Sequence, residues 1–404
     1  MTRPGTQIIS RDQAPPRSAP PTQTGPWFAV GQTATGPLNT PTLVRSLASY
    51  ESTFGARSGG TLLYDAVETF FREGGSRVYI SAIPTTPSAT AAEAKPTKKT
   101  AAKEGEEPEA QAAPTTAQLQ AALDAFAKTL GPGQVSIPGN SDPTMYDALL
   151  AHAEATNRVA LLDVPPGVST AAALVSIATG LHDSDGARFG ALFGPWAVVP
   201  GTAGGTSRSV PYSAVEAGII ARNEALGLNP NIAAAGQNGL SIFATDLAAQ
   251  YTDLEYEQLN DAGVDMARLI YGGVETYGYR TVVDAAVDSL WESFGNSRLH
   301  MAICAQADAI AERYVFAQID GRRKKIAQFG SELAGMLAPF YDAGALYGAS
   351  PEEAFDVDVG NQVNTDETIA AGELHAVLKV KMSPFAEAVI IEIVRVALTD
   401  ALAA

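Results

Sequence analysis

The chain has 404 residues with 44 acids against 27 bases, a net charge of −17, and is 46% hydrophobic. It is long enough to bury a sizeable core, which excludes wholesale disorder, and long enough for two or more domains, since single cores tend to split beyond about 250–300 residues. Its acidity excludes a general nucleic-acid coat, which needs a basic surface to neutralise phosphates, and its lone cysteine, Cys304, excludes an intramolecular disulfide framework and fits a cytosolic compartment.

The proline-rich first 25 residues carry one apolar stretch, Thr6, Gln7, Ile8, Ile9 and Ser10, which reads as a short strand in an extended arm. Nothing in MTRPGTQIISRDQAPPRSAPP has the apolar core of an export signal. WFAVGQ at 27–32 reads as a buried strand. The segment GPLNTPTLVRSLASYESTFG, 36–55, reads as a loop region holding no acid, base or nucleophile arranged for chemistry. In GTLLYDAVETFFREGG, 60–75, Leu62, Leu63, Ala66, Val67, Phe70 and Phe71 recur at helical spacing before a Gly-Gly stop. RVYISAIP then predicts a second strand.

Residues 84–117 contain no aromatic residue and no Leu, Ile, Val or Met, so they have nothing to offset the entropy of ordering; they read as an exposed insertion. Order resumes with the helical AQLQAALDAFAKTLG. From there to about residue 290 the strands QVSIPG, RVALLDVP and ARFGALFGPWAVV interleave with helices around MYDALLAHAEAT and AAALVSIATGLH, the pattern of an α/β domain with a partly parallel sheet. RTVVDAAVDSLWESFG reads as a long helix leading into a last region. There HAVLKVKM, 375–382, alternates as a half-buried strand, with Ala376, Leu378, Val380 and Met382 on one side. AVIIEIVRVAL, 388–398, is apolar on both faces: Val389, Ile391 and Ile393 oppose Ile390, Val394 and Val396. It is too short for the roughly 20 residues of a membrane span and carries Glu392 and Arg395. As an uncovered edge such a strand would be an aggregation hazard, so a strand partner in this chain or another copy is expected.

Residues able to do chemistry are sparse. Asp163 ends VALLD, where α/β enzymes place carboxylates, but it has no second acid or base in a recognisable spacing and reads as a loop cap. GTAGGTSRS, 201–209, lacks the Gly-Lys-Ser/Thr ending of a phosphate cradle and reads as a mobile loop; Arg208 does not repair the spacing. His300 and Cys304, four apart on a helix, could face one metal, yet His152, His182 and His375 supply no matching pair, and a structural His beside a free thiol is the simpler reading. Arg322, Arg323, Lys324 and Lys325 form the densest basic cluster, either a solvated helix start or a contact for an acidic partner.

The order of these segments resembles the tail sheath proteins of contractile phages and related injection machines. The resemblance is carried by the N-terminal PGT arm, GPLNTPTLVRSLASYESTFG, FFREGGSRVYI, LLDVPPG, GPWAVVP, VEAGIIARNEALGLNPNIAAAG, LNDAGVDMARLIYGGVETYGYRT and the final stretch from GALYGASPEEAFDVDVG to AVIIEI. It departs where the family's common tryptophan in "VWGARTL" is Tyr277, while the motif's arginine is Arg280. It implies an arm at 1–25, an outer α/β domain at 26–285 with 84–117 inserted, and an inner α+β domain at 286–404 beside a tail tube, with terminal strands at Thr6–Ser10 and Val389–Val396 added to sheets of neighbouring subunits. It also implies a non-enzymatic subunit without cofactor or metal, whose six-membered rings stack around a tube in a metastable state and contract to drive it through an envelope. Arg322–Lys325 would face the tube. The implied partners are other copies of the chain, the tube protein, and baseplate and tail-terminator proteins, with no direct nucleic acid and no membrane insertion. The implied location is a virion tail assembled in host cytoplasm, with the sheath of a bacterial injection system as the alternative. An α/β enzyme and a static capsid-like shell are the readings from other classes.

Overall fold

The computed structural model describes residues 24–57, 62–85, 113–167, 169–201 and 205–387. The expected terminal strands, Thr6–Ser10 and Val389–Val396, lie outside these, as do residues 86–112 of the insertion.

Strand β1 (Trp27–Thr33) shows why its sequence is apolar without alternation. Trp27 and Ala29 enter one hydrophobic cluster and Phe28 and Val30 another, so both faces of the strand are covered. The segment expected as a loop at 36–55 instead holds a short strand, β2 (Thr42–Val44), and a helix, α1 (Leu47–Phe54), capped by Ser46. Three strand residues give too little periodicity to read; the antiparallel register of β2 against the later strand β3 creates it. Helix α2 (Leu62–Arg72) and β3 (Val78–Pro84) fall where the sequence puts them.

Beyond the insertion, α3 (Thr116–Asp124) opens with a capping box in which Thr115 and Gln118 satisfy each other's backbone. The ends of the 84–117 segment therefore belong to β3 and α3. The alternation continues through β4 (Gln134–Ser136), α4 (Pro143–Thr156), β5 (Val159–Asp163), α5 (Ala171–Leu181) and β6 (Gly190–Gly194). The chain turns at Pro195-Trp196 into β7 (Ala197–Pro200), which pairs antiparallel with β8 (Ser207–Val210). Residues 207–210, expected in a mobile loop, are thus a strand whose Arg208 lies opposite Val199. Helix α6 (Tyr212–Ala225), β9 (Asp246–Leu247), α7 (Asp253–Asp261), β10 (Val264–Ile270) and β11 (Gly273–Thr276) complete this body.

The main sheet has the order β11-β10-β6-β5-β4-β1-β3-β2, parallel except at its two antiparallel edges, β11 and β2. Helices α2 and α6 cover one face, and α3, α4, α5 and α7 the other. Gly218 permits the close approach of α6 to α2, since a Cβ there would lie 2.4 Å from that of Glu73. The α/β reading with a partly parallel sheet holds.

The expected helix at 280–295 does not form. Thr281 and Val282 are held extended by backbone bonds to Glu292 and Gly190, Val282 is buried, and the Asp284 carboxylate turns the chain by accepting the Ala286 N–H. The helix α8 (Phe294–Ala311) starts only after Ser293, whose hydroxyl accepts from Asn296. From α8 on, a second body forms around Leu299, Ile303, Phe329, Leu333, Leu337 and Leu346. It contains α9 (Lys324–Asp342), α10 (Pro351–Ala354), β12 (Phe355–Asp358), α11 (Asp366–Ala370) and β13 (Val377–Val380). β12 and β13 pair antiparallel as a two-stranded sheet. Ala376, Leu378, Val380 and Met382 all pack on the second body's core, as their alternation predicts.

Both flanks of the insertion are finished structures, β3 paired to Thr33 and α3 carrying its own cap. Replacing 86–112 with a short Gly/Ser linker should therefore change stability by less than about 1 kcal/mol, a Tm shift of at most about 2–4 °C, read by differential scanning calorimetry. A much larger drop would show that the segment contributes packing.

Candidate functional site

The charged groups of the α/β body are consumed by its own architecture. Asp163, at the end of β5, is buried: Oδ1 accepts from the Ser213 N–H at 2.7 Å, and Oδ2 accepts from the Ser213 hydroxyl at 2.6 Å and the Gly139 N–H at 2.9 Å. It joins the loop after β4 to the first turn of α6, as the capping reading expects. Burial pushes its carboxyl up to about 6 against the pull of these donors. Gly139 adopts φ +74, and a Cβ there would meet Leu62 at 2.4 Å.

Arg208 bridges two carboxylates of α2. It meets Asp65 at 2.5 Å and also pairs with Glu68, with all three side chains about one-tenth exposed. Arg57 grips the same Asp65 through two bonds of 2.7 and 3.0 Å. Glu73, fully buried, accepts from Arg222, from the Ser241 hydroxyl and from the Ile242 and Phe243 N–H groups. These networks fasten the β7–β8 region and the loop after α6 to α2.

Beneath α6, Glu216 is completely buried, and its Oε2 accepts the Thr276 hydroxyl at 2.8 Å. Burial raises its carboxyl from 4.5 to about 8. Asp265, also buried, accepts the Arg280 N–H at 2.8 Å, and burial raises it well above the usual range. Arg280 itself spreads over three acids: Glu292 at 2.9 Å, Glu387 at 2.6 Å and Asp261 at 3.9 Å. Tyr277 is half exposed with Arg268 over its ring at 5.3 Å. Sequence reasoning missed these roles. The one available signal was a glutamate inside the otherwise apolar YSAVEAGII.

His300 and Cys304 do lie together, with Sγ 3.6 Å from Nε2. The imidazole sits between the Phe189 and Trp291 rings, and burial together with nearby Arg188 lowers its pKa. Among the described residues no group of three or more His, Cys, Asp or Glu is placed to hold a metal. The pair borders a 570 Å³ cleft between the two bodies that is also lined by Lys128, Arg188, Leu333 and Leu378.

The basic cluster divides. Asp320 accepts the N–H groups of Arg322, Lys324 and Lys325, and Arg323 takes a left-handed conformation at φ +57 with its guanidinium on the Asn364 carbonyl. Arg322, Lys324 and Lys325 are exposed, and Arg323 is half-buried. Among the described residues β12 and β13 each have one unpaired edge.

The chain's residues 17–162 match a family model described as DUF2586, N-terminal domain. No curated protein matches it in sequence. Solved structures match it nearly end to end. The helical sheath of the anti-feeding prophage in its contracted state is 20% identical with a TM-score of 0.69, covering 98% of this chain and 99% of that one. The sheath complex of an extracellular contractile injection system, PVC, in its contracted state is 17% identical with a TM-score of 0.68, covering 96% and 98%. A sheath tail protein from Desulfitobacterium hafniense is 10% identical with a TM-score of 0.58, covering 87% and 93%. The chain has the mixed α/β fold of contractile-system sheath proteins.

Two outcomes follow from the buried charges. The folded chain keeps the Glu216 proton that the unfolded chain releases between pH 4.5 and about 8, so stability falls as pH rises through that window. Glu216→Gln, which retains an acceptor for Thr276, should remove about 2–3 kcal/mol of the fall between pH 6 and 8, measured by urea unfolding across pH; an unchanged slope would contradict it. Arg208→Ala takes the buried partner from Glu68 and leaves Asp65 to Arg57 alone, and should cost about 3 kcal/mol, whereas Arg313→Ala, from an exposed pair with Glu332, should cost about 0–1 kcal/mol.

Proposed function

We propose that the chain is the structural subunit of a contractile sheath, polymerising around a tube in an extended state and contracting to drive it through an envelope. The observation that carries this is the end-to-end likeness to sheath structures, both bodies included. The second body adds a physical argument. A two-stranded sheet of four-residue strands is marginal by itself, and β12–β13 offers main-chain edges while the sequence supplies strand-like apolar segments at 6–10 and 389–396. β-augmentation between copies joins these two facts, with Thr6–Ser10 and Val389–Val396 as the donated strands.

The exposed Arg322, Lys324 and Lys325 are the proposed tube contact, and Arg323 is withdrawn from it by its bond to Asn364. Further partners under this reading are baseplate and tail-terminator proteins. Between a phage tail and a bacterial injection system, the sequence reading favours the phage, whereas the higher TM-scores and coverage of the injection-system sheaths favour the latter. We adopt the injection-system reading. An enzyme is disfavoured because the acids with raised pKa, Asp163, Glu216, Glu224 and Asp265, do not line the interbody cleft.

Removing residues 1–20 or 388–404 should give folded monomers where the full chain polymerises, as seen by analytical ultracentrifugation with circular dichroism as the fold control. Normal polymers from both truncations would contradict strand donation. Changing Arg322, Lys324 and Lys325 together to Glu should leave polymerisation intact and abolish loading of extended sheath on tubes; tube-filled tails at normal yield would return the cluster to a solvated helix start.

A further inference from the structure

The last described residues make a crossing that sequence gives no hint of. At Lys381–Ser383 the chain still belongs to the second body: the Lys381 N–H donates to the Ala354 carbonyl, the Ser383 N–H donates to the Ala345 carbonyl, and Met382 packs on the second core. Two residues later Phe385 packs on the first cluster, that of the α/β body. Two further on, Glu387 receives two bonds from Arg280, 3.2 Å from Nε and 2.6 Å from Nη2.

Arg280 is built to stay where it is. Its N–H is held by buried Asp265, it bridges to Ser293 in a short backbone pairing, and its guanidinium is also held by Glu292. The side chain is 16% exposed, so its attraction for Glu387 is only partly screened by water. Its remaining acids, Glu292 and Asp261, both belong to the α/β body, so that among the described residues Glu387 is the partner contributed from beyond β13.

We infer that Arg280 is a positioning residue: with Phe385 it straps residues 383–387 across the junction of the two bodies, so that 388–404 start from the α/β body and not from the end of β13. The described chain ends at Glu387 on the α/β body, and the strap adds a tie between the bodies beside α8, which packs Phe294 and Met301 on the first cluster and Leu299 and Ile303 on the second, and beside the Asn229-to-Ala343 and Asn157-to-Met301 side-chain bonds. The consequence for assembly rests on the sheath reading; the strap does not.

The test is amide exchange on the isolated full-length chain. Glu387→Gln removes the strap's charge and leaves Arg280 with Glu292 and Asp261. It should speed exchange at Ser383, whose N–H is held by the Ala345 carbonyl, about tenfold with β1–β11 unaffected. Arg280→Gln, which also releases Glu292 and Asp261, should loosen the strap at least as much, and the double variant should exchange no faster than Arg280→Gln alone, because the contact with Glu387 is already lost in it. Unchanged exchange in Glu387→Gln, or additive effects in the double variant, overturns the inference. The same Glu387→Gln chain should polymerise more weakly than the parent; if its strap loosens but polymer yield stays equal, the assembly consequence is wrong. Exchange is read without polymer, so a parent chain that never polymerises counts against the sheath reading alone.

Discussion

Every backbone N–H and C=O that leaves water needs a partner, and the two bodies meet this constraint in opposite ways. In the α/β body the parallel strands are covered on both faces, and the sheet ends in antiparallel edges: β2, three residues long, and β11, which also bridges to Leu240. Short edges of this kind discourage further pairing. Among the described residues the second body's sheet has two strands, with Lys379 and Asp356 paired on its exposed side. The α/β body thus ends its main sheet in short edges, while among the described residues β12–β13 leaves main-chain edges open.

Electrostatics support the same division. A chain of net charge −17 repels its copies, so the proposed association would have to come from main-chain pairing and apolar side chains more than from surface ion pairs. Inside the α/β body, Arg208, Arg222 and Arg280 are each spent on carboxylates of their own chain. Arg158 shows how completely basic groups can be absorbed: its guanidinium lies 3.9 Å over the Phe28 ring and donates to the Phe126, Ala127 and Gly131 carbonyls, and burial lowers its pKa to about 10.

What the sequence makes legible is what depends on neighbours along the chain. WFAVGQ, RVYISAIP and VALLD announce buried strands because both their faces are apolar, and HAVLKVKM announces a half-covered one by alternating. Asp163 reads correctly as a cap because it sits between a strand and a turn. The failures are long-range. The helical pattern at 280–295 yields to backbone bonds from Gly190, and Arg208, Glu216 and Arg280 find partners 143, 60 and 107 residues away. In RRKK the sequence shows four like charges, while the fold removes Arg323 through Asn364, 41 residues distant.

The central proposal is that copies of this chain form a sheath by lending strands to the β12–β13 sheet. Cryo-electron microscopy of the purified full-length protein tests it most directly. The account predicts hollow helical polymers with sixfold rotational symmetry, in which density continues from β12 and β13 into added strands traceable to residues 6–10 and 389–396 of neighbouring subunits. Monomers under all assembly conditions, or polymers in which β12–β13 remains two-stranded, would contradict it.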